Sequence, residues 1–460
     1  MHAPRFMIAA AHKSSGKTVI STGLAQAFAA KGITTFKKGP DYIDPMWLAQ
    51  ASGRACYNLD FNTMCGEDLL PFFTARAGAL TLVEANKGLY DGVSMDGSDS
   101  NAALAKYLDL PIILVIDTGG MTRGIAPLLA GYRAFDPWVN IAGVILNKVG
   151  GPRHEKKLRE AVERYTDIPV VGAVHRNAKL EIGERHLGLT TPAESNALDD
   201  MITAFGDIVG SSVDLEAIER IAATAPDLPT PPAAKPLPMP DVKIAIAQDR
   251  AFGFYYPDDL ELFAASGAQL VPFDTMRDAA LPDCDGLFIG GGFPEMFISE
   301  LTANDSLRAE IRTKIEAGLP SYAECGGLMY LCRSMSHDDD TAPMVGAIAA
   351  DAIMEKQPQG RGYTRFSNRD EHPWPECPEV RAAHEFHYAR LDNVDLTLTY
   401  ARDVTRGYGV DGKHDGILVY NALAGFCHLR SSGRRPWVPQ FVDFVRRLKL
   451  TDWQKQRADL

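Results

Sequence analysis

Positive charge is in short supply in this sequence of 460 residues: 47 Lys and Arg stand against 59 Asp and Glu, a formal net charge of −12. A general nucleic-acid binder needs a basic surface to release phosphate counterions, so no nucleic-acid partner is expected, although a local basic cleft survives that argument. Long apolar runs are absent. The most apolar short run, Pro111–Ile116, is cut off by Asp117 and Gly119, well short of the roughly 18 residues a membrane span needs. Cysteine is sparse and odd in number: seven, widely spaced, with no CxxC pair. That excludes a disulfide framework or a zinc cage and points to reduced thiols. The opening Met1–Arg5 lacks the layout of a signal peptide, so a cytoplasmic location is expected. What remains is an ordinary globular composition, 46% hydrophobic and 23% charged, with room for about two or three domains.

Proline concentrates in Ala225–Pro240, where seven of sixteen residues are Pro. Neither a helix nor a central strand tolerates that density, and an extended spacer results. The expected organisation is therefore a domain over 1–224, a linker over 225–240 and a second domain over 241–450. In the first, apolar runs at Phe6–Ala10, Ala79–Val83, Ile112–Ile116, Ile141–Leu146 and Val170–Val174 alternate with helical patterns such as Val19–Lys31. The second restarts with strand-like runs at Val242–Ala247, Ala268–Phe273, Gly286–Ile289 and Leu319–Ala323. Continuous apolar strands separated by helices predict an α/β fold with two open, mostly parallel sheets. Such sheets bind ligands at the carboxyl ends of their strands.

The first strand runs into Ala11-His12-Lys13-Ser14-Ser15-Gly16-Lys17-Thr18. This is a phosphate loop whose first Gly is replaced by Ala11. Gly16, with Ser14 and Ser15, lets backbone N–H groups approach phosphate at a helix N-terminus. Lys17 would pair with β/γ oxygens, and Thr18 would ligate Mg²⁺. Acids for that metal are sought at strand ends. Asp41 and Asp44 follow Lys37-Lys38, Glu84 and Asp91 flank the next loop, and Asp117 ends a third strand. Asn147, closing the run Gly143–Leu146, is placed to read an adenine edge.

In the second half Leu319–Ala323 leads into Glu324-Cys325-Gly326-Gly327 and then an apolar helical run. Small neighbours permit the tight strand-to-helix turn that exposes a nucleophile, and a helix N-terminus favours thiolate. Cys325 is the candidate nucleophile; the other six cysteines lack such a setting. A base distant in sequence is required, and His428, just beyond the run Ala422–Cys427, would be held rigidly there. Gly290-Gly291-Gly292 after the strand Gly286–Ile289 offers bare N–H groups, of Gly291 and Gly292, to a developing oxyanion. His384 and His387 are read as structural or substrate-edge residues rather than a metal pair.

These motifs together, SSGKT (14–18), KKGPDYIDP (37–45), VEANKGLYDG (83–92), ERHLGL (184–189), GGGFPE (290–295), AECGG (323–327), HEFHY (384–388) and FCHLR (426–430), resemble the cobyrinic acid a,c-diamide synthase family over nearly the whole chain. The resemblance implies a dethiobiotin-synthetase-like P-loop domain followed by a class I glutaminase-like domain. It implies ATP- and glutamine-dependent amidation of the a and c acetates of a corrin in cobalamin biosynthesis. By the same resemblance Cys325 is the glutaminase nucleophile and His428 its base. Asp41 and Glu84 join Thr18 on Mg²⁺, and Asp91 positions the acyl phosphate or ammonia. Lys37, Lys38, Asp44, Arg185 and His186 face the corrin polycarboxylate. Glutamine, ATP and the corrin are then the partners, with room for a homodimer. General likeness to proteobacterial members favours metal-free hydrogenobyrinic acid over cobyrinic acid. Many class I glutaminases carry a Glu two residues after the base, but here the residues are His428-Leu429-Arg430. What orients His428 is left open. Three rival readings stand beside this one: an amidotransferase for another polyacid, such as a nickel tetrapyrrole or a peptidoglycan precursor; a ParA-like ATPase with a degenerate amidase-like tail; and a second half that is a glutaminase-like scaffold without activity.

Overall fold

The computed structural model describes residues 1–64, 66–185, 188–189, 198–231, 233, 235–338, 340–374, 380–432 and 436–458. It forms two compact units, Met1–Phe61 with Gly66–Ala233, and Asn62–Cys65 with Ala234–Leu460. The division falls inside the proline-rich stretch, whose beginning is tied down. The fully buried Arg5 donates to the Pro226 carbonyl at 2.7 Å, and the Leu228 N–H to the Met1 carbonyl at 2.9 Å.

The first unit is built on seven strands: β1 Arg5–Ala10, β2 Ile33–Lys38, β3 Cys56–Leu59, β4 Leu80–Glu84, β5 Ile112–Asp117, β6 Ile141–Val149 and β7 Val170–His175. All pair in parallel, in the order β3-β2-β4-β1-β5-β6-β7. Alternate residues of β1 enter opposite cores. Phe6, Ile8 and Ala10 pack on one face, Met7 and Ala9 on the other. Helices therefore cover both sides, which is why these strands read as unbroken apolar runs. After β1 comes helix α1, Lys17–Ala27, shorter than the expected Val19–Lys31. A 3₁₀ turn at Ala29–Lys31 follows and ends at Gly32, whose φ of 73° is left-handed.

The second unit carries a nine-stranded sheet. Strands Ala268–Phe273, Val242–Ala247, Gly286–Ile289, Ser321–Glu324 and Ala422–Gly425 lie side by side in parallel. The sheet then continues antiparallel through His414–Val419, Thr399–Arg406, Gly360–Asn368 and Arg381–His387. The parallel part alternates faces as β1 does. Ala245, Leu287, Ile289 and Ala323 join one core, and Ile244, Ile246, Phe288 and Tyr322 the other. The antiparallel extension is amphipathic, and so it escapes a search for continuous apolar runs. Helix Trp437–Ala458 continues past residue 450. Among the described residues no helix is long and apolar enough to cross a membrane.

Candidate active site

Strand order explains the first cluster. β1 and β2 both pair with β4, and the register sets Ile8 and Lys37 opposite Glu84. The loop after β1, the end of β2 and Glu84 therefore meet at one carboxyl edge. Gly16 caps α1 with a left-handed φ of 87°, and Ser14 is also left-handed at 62°. Lys17, only 7% exposed, reaches over to donate to the Lys87 carbonyl at 2.5 Å. Burial, then the charge of Lys37, lowers its ammonium to about 8. The Thr18 hydroxyl donates to Glu84 Oε1 at 2.9 Å.

Glu84 is fully buried, and burial raises its carboxyl although Lys37 opposes the rise. The Lys37 ammonium lies 2.5 Å from Asp44, 2.9 Å from Glu84 and 3.9 Å from Asp41. Burial penalises that charge, but the three carboxylates outweigh it and hold it on. Asp41 also accepts the N–H groups of Ile43 and Asp44, pinning the start of helix α2, Ile43–Ser52. An edge where three acids converge on one cation is a place built for positive charge. The second Glu84 oxygen, Oε2, is buried without a hydrogen-bond partner among the described residues. Among the described residues no three His, Cys, Asp or Glu side chains are grouped to hold a metal ion, but the Glu84 carboxylate and the Thr18 hydroxyl bonded to its Oε1 are oxygens of the kind Mg²⁺ prefers.

Each of the other predicted residues has its own setting. Asp91 accepts from the Gly88 N–H at 2.9 Å and shapes the loop after β4. Asn147 lies opposite Asp117 in the register and donates its amide to the Ser15 carbonyl at 2.8 Å. It braces the phosphate loop directly; a Cβ on Gly16 would lie 2.3 Å from that amide nitrogen. Lys37 and Lys38, expected to face the corrin, do not lie on the surface. Both are nearly fully buried, and Lys38 donates to the Asp99 carbonyl at 2.6 Å. Arg185 falls in a two-residue strand, Glu184–Arg185, and His186 lies outside the described residues. Residues the sequence reading missed are Asn101 and Lys148. The buried Asn101 donates to the carbonyls of Asn86 and Gly88, each at 2.7 Å. Lys148 donates to the Ser14 carbonyl at 2.9 Å and to Asp117 at 2.8 Å.

In the second unit the strand Ser321–Glu324 lies between Gly286–Ile289 and Ala422–Gly425. The glycine loop, the nucleophile turn and His428 therefore converge at one edge. Cys325 has φ 50° and ψ −105°, a sparsely populated conformation for a residue with a Cβ, as strained nucleophile turns require. Its N–H donates to the Gly425 carbonyl at 2.7 Å. The glycines around it are sterically demanded. A Cβ on Gly327 would lie 2.2 Å from the Ile289 carbonyl, and one on Gly292 1.9 Å from the Ala251 carbonyl. A Cβ on Gly326 would meet the Gly292 N at 3.2 Å, so that amide lies beside the nucleophile turn. The Gly290 N–H is committed to the Tyr255 hydroxyl at 2.9 Å. Gly327→Ala should cost roughly 1–3 kcal/mol by overpacking. A lower urea midpoint measures it, and an unshifted midpoint contradicts it.

His428 and Cys325 lie close enough to act on each other's charge. Burial lowers the imidazolium of His428, but hydrogen bonds to Cys325 and Glu324 raise it to about 10. A backbone bridge to His384, 2.8 Å and 3.3 Å in its two directions, fixes the His428 main chain. The two rings stack at 4.9 Å. His384 is held well below its ordinary value by burial and by the charges of His428 and Arg430, so it stays neutral. His387 stacks on Phe426 at 3.9 Å.

Two family profiles match the chain. Residues 6–189 match the CobQ/CobB/MinD/ParA nucleotide binding domain, and residues 243–436 the CobB/CobQ-like glutamine amidotransferase domain. A cobyrinate a,c-diamide synthase of Magnetococcus marinus is 43% identical over 96% of this chain and 97% of its own. The chain belongs to the cobyrinate a,c-diamide synthase family. One from Methanosarcina acetivorans is 37% identical over 96% of this chain and 95% of its own, and one from Dehalococcoides mccartyi is 37% identical over 93% and 95%. A solved glutamine amidotransferase aligns at 11% identity and a TM-score of 0.32, over 44% of this chain and 98% of that one. That likeness is too weak to bear on the fold. Membership in the cobyrinate a,c-diamide synthase family makes the chain a glutamine-dependent amidating ligase with an ATP-binding half. It removes the ParA-like reading.

Proposed function

We propose that this chain converts two acetate carboxylates of a corrin to amides, taking nitrogen from glutamine and energy from ATP. The observation that carries it is the pairing, in one chain, of a Cys–His nucleophile turn with a phosphate loop that faces buried acids. Cys325 sulfur attacks the side-chain amide carbon of glutamine. The tetrahedral oxyanion meets the Gly292 N–H, with Gly291 beside it. The C–N bond breaks as His428 gives its proton to the leaving nitrogen, and ammonia departs. Water then cleaves the thioester to glutamate. In the first unit Lys17 and the loop amides hold the β- and γ-phosphates. A corrin carboxylate oxygen attacks the γ-phosphorus, ADP leaves, and ammonia displaces phosphate from the acyl phosphate. Thr18, Glu84 and Asp41 would hold Mg²⁺, which when bound screens phosphate charge. Asp91 positions the acyl phosphate, and Asn147 keeps its amide oxygen for the adenine edge. ATP and glutamine chemistry occur together because an unactivated carboxylate would have to expel oxide. The setting proposed is the cytoplasm.

The relatives carry the name cobyrinate, so the cobalt-bound corrin is the first substrate to assign, ahead of the metal-free hydrogenobyrinic acid. Side-by-side turnover should give a higher kcat/KM for cobyrinate. A preference for the metal-free corrin reverses that assignment, and turnover of neither overturns the corrin reading.

A further inference from the structure

The class I residue that would orient the base is missing after His428, yet the ring has a carboxylate. Glu324 immediately precedes the nucleophile and is almost fully buried. Its Oε2 lies 3.4 Å from His428 Nδ1. Its other oxygen, Oε1, is saturated: it accepts the Tyr322 hydroxyl at 2.7 Å and the Leu429 N–H at 2.8 Å. Those two donors fix the carboxylate plane and leave Oε2 for the imidazole. Strand alternation makes this possible. Tyr322 and Glu324 share one face of Ser321–Glu324, and the sharp turn at Cys325 carries the thiol away from that face.

We infer that Glu324 is the positioning residue of the glutaminase, accepting the His428 Nδ1–H and so leaving Nε2 for the thiol of Cys325. This rests on the Cys325–His428 reading above. It replaces a carboxylate two residues after the base with one supplied from the nucleophile's own strand. Triad orienters act by fixing tautomer and stabilising the imidazolium. The charged and titratable groups facing His428 and its partner are few. Cys325 and Glu324 come from the nucleophile strand, and the neutral His384 from the adjoining strand. Tyr256 contacts His384 at 3.4 Å, Arg430 follows in sequence, and Tyr322 stands behind Glu324. Among the described residues, Glu324 is a carboxylate within ion-pair reach of the ring, at Nδ1.

The test is Glu324→Gln in the full-length enzyme. Glutamine hydrolysis should lose about 10²-fold in kcat, in the range of a lost acid–base contribution, with KM for glutamine little changed. Removing the anion lowers the imidazolium pKa, so the alkaline limb of the kcat–pH profile should move to lower pH. Ammonium-driven amidation should persist. A rate within twofold of wild type with an unmoved limb overturns the proposal. If that variant does not fold, Glu324→Asp serves. It keeps the charge at shorter reach, so it should lose rate while keeping the alkaline limb in place; an undiminished rate overturns the proposal. Cys325→Ser run in parallel separates the two failures. Persistent hydrolysis there sinks the nucleophile reading, whereas a dead Cys325→Ser beside a normal Glu324→Gln sinks only this inference.

Discussion

Cys325→Ser should lose at least about 10³-fold in glutamine-dependent amidation, the scale on which nucleophile removal acts, while amidation driven by added ammonium continues. The substitution is nearly isosteric in a crowded turn. Cys325 is only 7% exposed, and the turn is fixed by the Gly425 carbonyl and by glycines that admit no Cβ. Structure is therefore conserved and chemistry is not. The Cys325–His428 pair holds its imidazolium up to about 10, so a proton is ready for the departing nitrogen at neutral pH. A serine hydroxyl is a far poorer nucleophile in that setting, because it must first surrender a proton to the same imidazole. Ammonium bypasses the step entirely. The measurement is amide product formed from labelled glutamine and, separately, from labelled ammonium. Loss of both would show that Cys325 serves the synthetase reaction or the fold, and would overturn the division of labour.

Much of this site is legible in the sequence because its parts are local. The phosphate loop, the Cys325 turn and the glycine run each combine a strand end with residues of special backbone freedom, and they announce themselves within a few positions. The strands β1, β4, β5, β6 and β7 are legible for a similar reason, since burial on both faces demands unbroken apolar runs. What escaped is what tertiary structure decides. β2 reads ITTFKK and looks like a half-polar surface segment, yet every residue in it is buried. Its lysines are tolerated because Asp44, Glu84 and the Asp99 carbonyl wait for them from other elements. The same burial bears on the expectation that Lys37 faces the corrin, since its ammonium already meets three acids. Asn147 illustrates the reverse case. Its position just past the apolar run was readable, although the strand continues to Val149, but its bond to the Ser15 carbonyl depends on the neighbouring strand order. Glu324 was the least legible of all. It sat inside a recognised motif, but its partner lies far along the chain and only side-chain geometry couples them.

Lys17→Ala should remove amidation with either nitrogen source by about 10² to 10³-fold, the range over which a single preorganised charge contact acts, while basal glutamine hydrolysis survives. Lys17 lies on the first turn of α1, where the helix N-terminus and the loop amides already favour phosphate. In the proposed mechanism its ammonium adds a full charge at the γ-phosphate end, where negative charge shifts as the acyl phosphate forms. In the free protein that ammonium is restrained by the Lys87 carbonyl and lowered to about 8 by burial and Lys37. A lowered lysine loses its charge as pH rises through that value, so the KM for ATP should climb above about pH 8 in wild type. The alanine variant has no such group and should show a flat KM over the same range, from a higher baseline. Because the glutaminase residues belong to the other compact unit, their intrinsic chemistry does not need this lysine. The mirror pair of phenotypes is the decisive comparison: Cys325→Ser rescued by ammonium, Lys17→Ala not. If Lys17→Ala retained ammonium-driven amidation at wild-type rate, the phosphate loop would have no part in activating the carboxylate, and ATP would have to act elsewhere.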